Sequence, residues 1–188
     1  MNTQTHLLLA SAVLGRRATV GEHAAIAIGA LSPDLSIFVL VAVAAVTGLS
    51  GAEVWDGAYW AEPWQTLSAI SNSFPLWLGA LAVGWALRRP AVVLFCAAAL
   101  LHLAFDLPLH AVDAHRHFWP LSDWRFHSPI SYWDPEHHGQ IVSLVEAIGG
   151  LFLVASLWRR HDRRWVRVGL ALGALSYAAI PAFWLVAA

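Results

Sequence analysis

Apolar side chains run almost unbroken over roughly residues 22–48, and comparable runs recur over about 69–88, 90–112, 140–158 and 166–187. Each is close to the roughly 20 residues that a helix needs to cross a hydrocarbon layer about 30 Å thick. A shorter run over about 3–15 predicts a first helix, with Thr3 or Thr5 to cap it and Gly15 to end it. The pattern therefore predicts an all-α fold: a polytopic membrane helix bundle of about five spanning helices plus a short N-terminal helix. It forms one integral membrane domain over residues 1–188, with no internal repeat. Pro33 marks a break inside the first long run.

Composition sharpens this picture. Hydrophobic residues make up 59% of the chain, charged residues only 12%, and the mean hydropathy is +0.59. An ordinary soluble domain carries about 25% charged residues. A formal net charge of -1 gives no electrostatic basis for binding nucleic acid. The single cysteine, Cys96, lies in an apolar run and excludes an internal disulfide. No basic residue precedes the first apolar stretch, so it does not read as a cleaved signal peptide.

All eleven cationic side chains are arginines, and nine of them fall at Arg16–Arg17, Arg88–Arg89 and between Arg159 and Arg167. An alternating path puts these short turns on one side, the cytoplasmic side by the positive-inside rule. The longer connections, about 49–68 and 113–139, then face outward. They carry Trp55, Trp60, Trp64, Trp119, Trp124 and Trp133, residues suited to a membrane interface.

Counting at 1.5 Å per residue puts His6 about 15 Å above Arg16, Asp34 about 18 Å above Glu22, His102 and Asp106 about 20–26 Å above Arg89, and Glu146 about 20 Å above Arg159. The same count brings Asn72 to about 24 Å above Arg88. These polar residues come from different predicted helices yet share one layer. Ionisable groups at such depth are costly and mark functional sites. His102, Asp106 and His110 are spaced i, i+4, i+8, a single stripe on a continuous helix, with Pro108 placed to end that helix before His110. Imidazole and carboxylate suit a divalent metal, zinc first. His115, His117, His127, His137 and His138 read as polar loop residues at the interface. His23 and His161 lie with the arginines near lipid headgroups. Gly149–Gly150 and Gly169-x-x-x-Gly173 suit close helix approach, within the chain or against a second copy or membrane partner.

THLLLA at 5–10, GALSPDL at 29–35 and LHLAFD at 101–106, followed by WPL at 119–121, form an ordered set. The set resembles the inner-membrane metal-dependent hydrolases described as LexA-binding, whose fold is related to zinc-dependent phospholipase C and its allied single-strand nucleases. The resemblance spans roughly residues 3–121. It implies that His6, Asp34, His102 and Asp106 are metal ligands, with Asp34 a candidate base for activating water. His110, and a residue near His137, His138 or Glu146, would complete the set by analogy. The chain departs from the family in the segment between the Pro-Asp motif and the His-x-x-x-Asp helix. There the family carries His-Arg-Gly-x-Thr-His-Ser, whereas LSAISNSFPLW at 67–77 sets Asn72–Ser73 in the final His-Ser position. That substitution leaves one ion, two ions or an inactive site open.

Two functions follow. One is a membrane-embedded metal-dependent hydrolase acting on a phosphoester or similar bond of a lipid-like substrate, with Arg116 or Arg125 holding a phosphate. The other is an accessory or assembly protein with a structural metal site. A third, weaker reading is a path for protons or ions through the buried acids and histidines.

Overall fold

The computed structural model describes residues 1–178 and 180, and among them every regular element is helical. The α-helices are α1 (Thr3–Leu14), α2 (Val20–Leu31), α3 (Leu35–Thr47), α4 (Glu62–Ser71), α5 (Phe74–Ala86), α6 (Pro90–Asp106), α7 (Gly139–Arg160) and α8 (Arg164–Ser176). Three stretches are long and apolar enough to cross a membrane: Glu62–Ala86, Pro90–Leu109 and Gly139–Arg160. The α2–α3 pair adds a fourth if counted as one span, although it is bent by 69°. The run expected over 166–187 is helical in α8, and its part from 181 onward lies outside the described residues. The described helices thus support three to four spans, where the apolar runs alone suggest about five.

The bend falls at Ser32–Pro33–Asp34, where proline lacks the N–H that would continue the ladder. A second difference concerns α4. It begins at Glu62, inside the expected outer loop 49–68, because Pro63 is tolerated in a first helical turn. The run then breaks at Asn72–Ser73, where the Ser73 hydroxyl caps α5 by accepting from the Leu76 N–H at 3.1 Å.

The arrangement of polar and apolar side chains is compatible with insertion in lipid. On α7, Ile141, Leu144, Val145, Ile148 and Phe152 are exposed, while Ser143, Glu146 and Gly150 are buried. On α3 the buried stripe is Ser36, Leu40 and Ala44, and Phe38, Val41 and Val46 face outward. Water would penalise such an outside; hydrocarbon does not.

Small residues let the helices close on one another. A side chain at Gly29 would bring its Cβ within 2.1 Å of the Phe95 carbonyl oxygen, so glycine is what allows α2 to cross α6. Ile26, Ala30, Ala10 and Ala98 fill that crossing. At Gly150 the same atom would meet the Tyr177 ring at 2.1 Å, whereas Gly149, Gly169 and Gly173 face open space. Of the four glycines expected to permit close approach, only Gly150 does so among the described residues.

One end of the bundle gathers arginines: Arg160 Nη1 donates to the Ala12 carbonyl at 2.8 Å, and the His23 and His161 rings meet edge-on at 5.9 Å. The other end holds the start of α1, the α2–α3 break, the end of α6, and the long connection 107–138. That connection folds back over the bundle through backbone bonds such as Phe74 N–H to His117 O and Ser128 N–H to His110 O.

Candidate metal centre

Asp106, the last residue of α6, is the hub. Its side chain is 4% exposed, and both oxygens are surrounded. Oδ1 lies 2.8 Å from His6 Nε2 and 2.5 Å from the Met1 amino group. Oδ2 lies 3.1 Å from His102 Nε2 and 3.4 Å from His110 Nε2. Asp34, at the break between α2 and α3, adds Oδ1 at 3.5 Å from His102 Nε2, and its Oδ2 accepts from Thr3 Oγ1 at 2.5 Å. The His6 and His102 rings stack in parallel, 3.4 Å apart.

Two ring assignments decide what this arrangement lacks. His102 Nδ1 lies 2.7 Å from the Ala30 carbonyl, which can only accept, so that nitrogen carries the proton. In the neutral ring, Nε2 is then a bare lone pair aimed at two carboxylate oxygens. His110 differs: Nδ1 donates to Asp113 Oδ2 at 2.8 Å, and although burial alone would lower its pKa, Asp106 and Asp113 raise it to about 9, so without an ion its Nε2, 3.4 Å from Asp106 Oδ2, carries the extra proton. Acceptors facing acceptors in a buried site call for a shared cation or extra protons. The ligand atoms of a tetrahedral zinc with bonds of about 2.1 Å sit about 3.4 Å apart. The observed separations of 3.1–3.5 Å at His102 and His110 match that spacing.

Two groups have ligand atoms within 4.8 Å of one another and can hold a metal ion: His6, His102 and Asp106, and Asp106, His110 and His115. The chain's own residues therefore fit a divalent cation, as the spacing of the buried polar layer suggested. His102 and His110 are backed in the usual way, by a carbonyl and a carboxylate, whereas His6 Nδ1 is buried with no hydrogen-bond partner among the described residues.

Other residues fall elsewhere. Glu146 stands apart from both groups and binds the start of α1, accepting from the Asn2 N–H at 2.7 Å, Asn2 Nδ2 at 3.0 Å and Thr5 Oγ1 at 2.6 Å. The threonine hydroxyls expected to cap α1 instead reach acids on other helices. Asn72 spends its amide on the Pro33 and Ser68 carbonyls at 3.3 and 3.0 Å. Arg116 pairs with Glu62 and Asp123, and Arg125 with the Ala114 carbonyl and Gln65. His137 is held by Asp134 at 2.8 Å.

The corrections are His115 and His117, read from sequence as interfacial loop residues. Both are buried, at 6% and 2% exposure. His115 Nδ1 lies 3.1 Å from Ser68 Oγ, and His117 Nδ1 donates to the Asn72 carbonyl at 2.9 Å. Burial, and the nearby His110 and His117, hold the His115 imidazole well below its ordinary pKa; burial also lowers His117. A neutral imidazole is the form that ligates metal. The clue in the sequence was the density of histidines just past α6, but no periodicity shows how a loop folds back.

No protein-family model, curated protein or solved structure matches the chain.

Proposed function

We propose that the protein is a metal-dependent hydrolase of a bacterial inner membrane, acting on a phosphoester or similar bond of a lipid-like substrate. The observation that carries this reading is the Nε2 atom of His102, fixed as a lone pair by the Ala30 carbonyl and aimed at Asp106 and Asp34. His6, His102 and Asp106 would hold the ion, zinc by the chemistry of the donor set. When bound, such an ion supplies a Lewis acid and lowers the pKa of water towards 7. Asp34 is the residue suited to take the proton. Its side chain is 15% exposed, against 4% for Asp106, and Thr3 fixes the orientation of its carboxylate.

A lipid-like substrate is supported by the setting of the ligand cluster, at one end of helices that are long enough to cross a membrane and whose outward side chains are apolar.

Purified, detergent-solubilised protein loaded with zinc should hydrolyse a fluorogenic phospholipid in mixed micelles, and a chelator should abolish the activity. Protein that takes up no metal from zinc-supplemented buffer would overturn the reading. Metal uptake without turnover, unchanged in Asp34→Asn, would favour the second reading, a structural metal site in an assembly or accessory protein. The specific support for that alternative is Asn72, which occupies the family's histidine position yet is committed to backbone carbonyls.

A further inference from the structure

The connection between α6 and α7 brings a third imidazole to Asp106 from outside the helices, and this observation goes beyond the ion just described. We propose that this loop builds a second metal position, formed by His110, His115 and the Oδ2 side of Asp106, so that Asp106 bridges two ions. The proposal rests on the metal reading of the His6–His102 position and extends it.

The first argument is geometric. Asp106 belongs to both ligand groups: Oδ1 faces His6 and the Met1 amino group, whereas Oδ2 lies 3.1 Å from His102 Nε2 and 3.4 Å from His110 Nε2. Oδ2, set between a histidine of each group, is therefore the oxygen the two positions would share. The His110 and His115 ring centres lie 4.7 Å apart with their planes tilted by 54°, so the rings are crossed and not stacked. Both side chains are buried.

The second argument is what stands behind the ligands. Asp113 Oδ2 accepts from His110 Nδ1 at 2.8 Å and from Trp133 Nε1 at 3.0 Å, which fixes the ring with Nε2 turned towards Asp106. Asp113 Oδ1 is buried with no hydrogen-bond partner, so the carboxylate is committed to this orientation at a cost. Ser68 backs His115 from α4, and the Tyr132 ring closes over His110 at 5.4 Å. Carboxylate–histidine pairs of this kind commonly lie behind metal ligands. A loop histidine with no ligand role would not need Ser68 on one nitrogen and a place 6% exposed beside two other imidazoles.

The third argument concerns substrate. Paired ions sharing a carboxylate stabilise the attacking and leaving oxygens of an in-line displacement, which favours phosphoesters over carboxylic esters.

Metal counting on the full chain in detergent tests this. Protein stripped by a chelator and titrated with zinc should bind two ions per chain, His115→Ala should bind one, and Asp106→Asn should weaken both. One ion in the unaltered protein, kept by His115→Ala and lost in His102→Ala, would overturn the second position and leave the hydrolase reading standing. No ion at all would overturn both. Should His115→Ala fail to fold, electron paramagnetic resonance of manganese-loaded unaltered protein decides. A bridged pair gives an exchange-coupled spectrum at saturation, and an isolated six-line signal at saturation overturns the bridge.

Discussion

Asp106, Asp34 and Glu146 are all acids set deep among helices, but their surroundings commit them differently. Asp106 has imidazoles on both oxygens, so its amide variant replaces a ligand oxygen by a donor. Asp106→Asn should lower zinc affinity by more than the roughly 10–100-fold that loss of an outer-shell partner costs. Asp34 touches the cluster from its edge, and Asp34→Asn should keep most of the metal while losing about 10²–10⁴ in turnover if it is the base. Isothermal titration with zinc and phospholipid turnover separate the two. If both variants keep full metal content, the stripe is a buried hydrogen-bond network. Glu146 accepts from Asn2 and Thr5, so Glu146→Gln should lower thermal stability by about 1.5–3 kcal/mol while sparing metal content. A measured loss of zinc in that variant would return Glu146 to the ligand set. The sequence shows His6, Asp34, His102 and Asp106 as neighbours because rise per residue converts position into depth along any helix. It does not show His115, because a loop has no period from which its return to Asp106 can be read. Nor does it separate Glu146 from the ligands, because depth fixes the layer but not the rotation of α7.

Among the elements, the apolar runs foretell most helices, and their departures have identifiable causes. Pro33 turns one expected run into α2 and α3, and Ser73 with Pro75 turns another into α4 and α5. The α4 start at Glu62 was hidden because its sequence, EPWQTLSAIS, is half polar and reads as loop where hydropathy is the guide. The contact that sets the bundle is the crossing of α2 and α6. Gly29→Ala would press Cβ onto the Phe95 backbone at 2.1 Å, and backbone yields only by moving a helix. The expected cost is about 1–3 kcal/mol, typical of overpacking. Gly149→Ala meets nothing within 4 Å and should be neutral or stabilising by about 0.5–1 kcal/mol. Thermal melts in detergent compare the pair. Equal melting temperatures would mean that α2 and α6 are not held at this crossing. Because His102 donates to Ala30, the residue after Gly29, a shifted crossing in Gly29→Ala should also weaken zinc binding.

For the molecule as a whole, which end faces the cytoplasm decides which leaflet supplies the substrate. The ends of α1 and α7 and the starts of α2 and α8 meet among arginines, whereas the ligand cluster and the 107–138 connection lie at the opposite end. The positive-inside rule assigns the arginine end to the cytoplasm. Under that proposed orientation the cluster faces the outer leaflet. The orientation can be read from one engineered thiol, because Cys96 is the chain's only cysteine and is 1% exposed. Cys96→Ser removes the background, and Ser122 is an exposed position on the long connection, eight residues or fewer from Arg116, Asp123 and Trp124 in sequence. In intact spheroplasts a membrane-impermeant maleimide should label Ser122→Cys fully, while a cysteine at Asp162, between the arginines, should label only after permeabilisation. The reverse pattern would turn the bundle over, and with it the source of the substrate, because the ligand cluster would then face the inner leaflet. The ligand geometry would survive that reversal unchanged, since it depends on helix contacts and not on which side is out. Sidedness and metal chemistry are therefore separable: the labelling experiment settles access, and the zinc titrations settle binding.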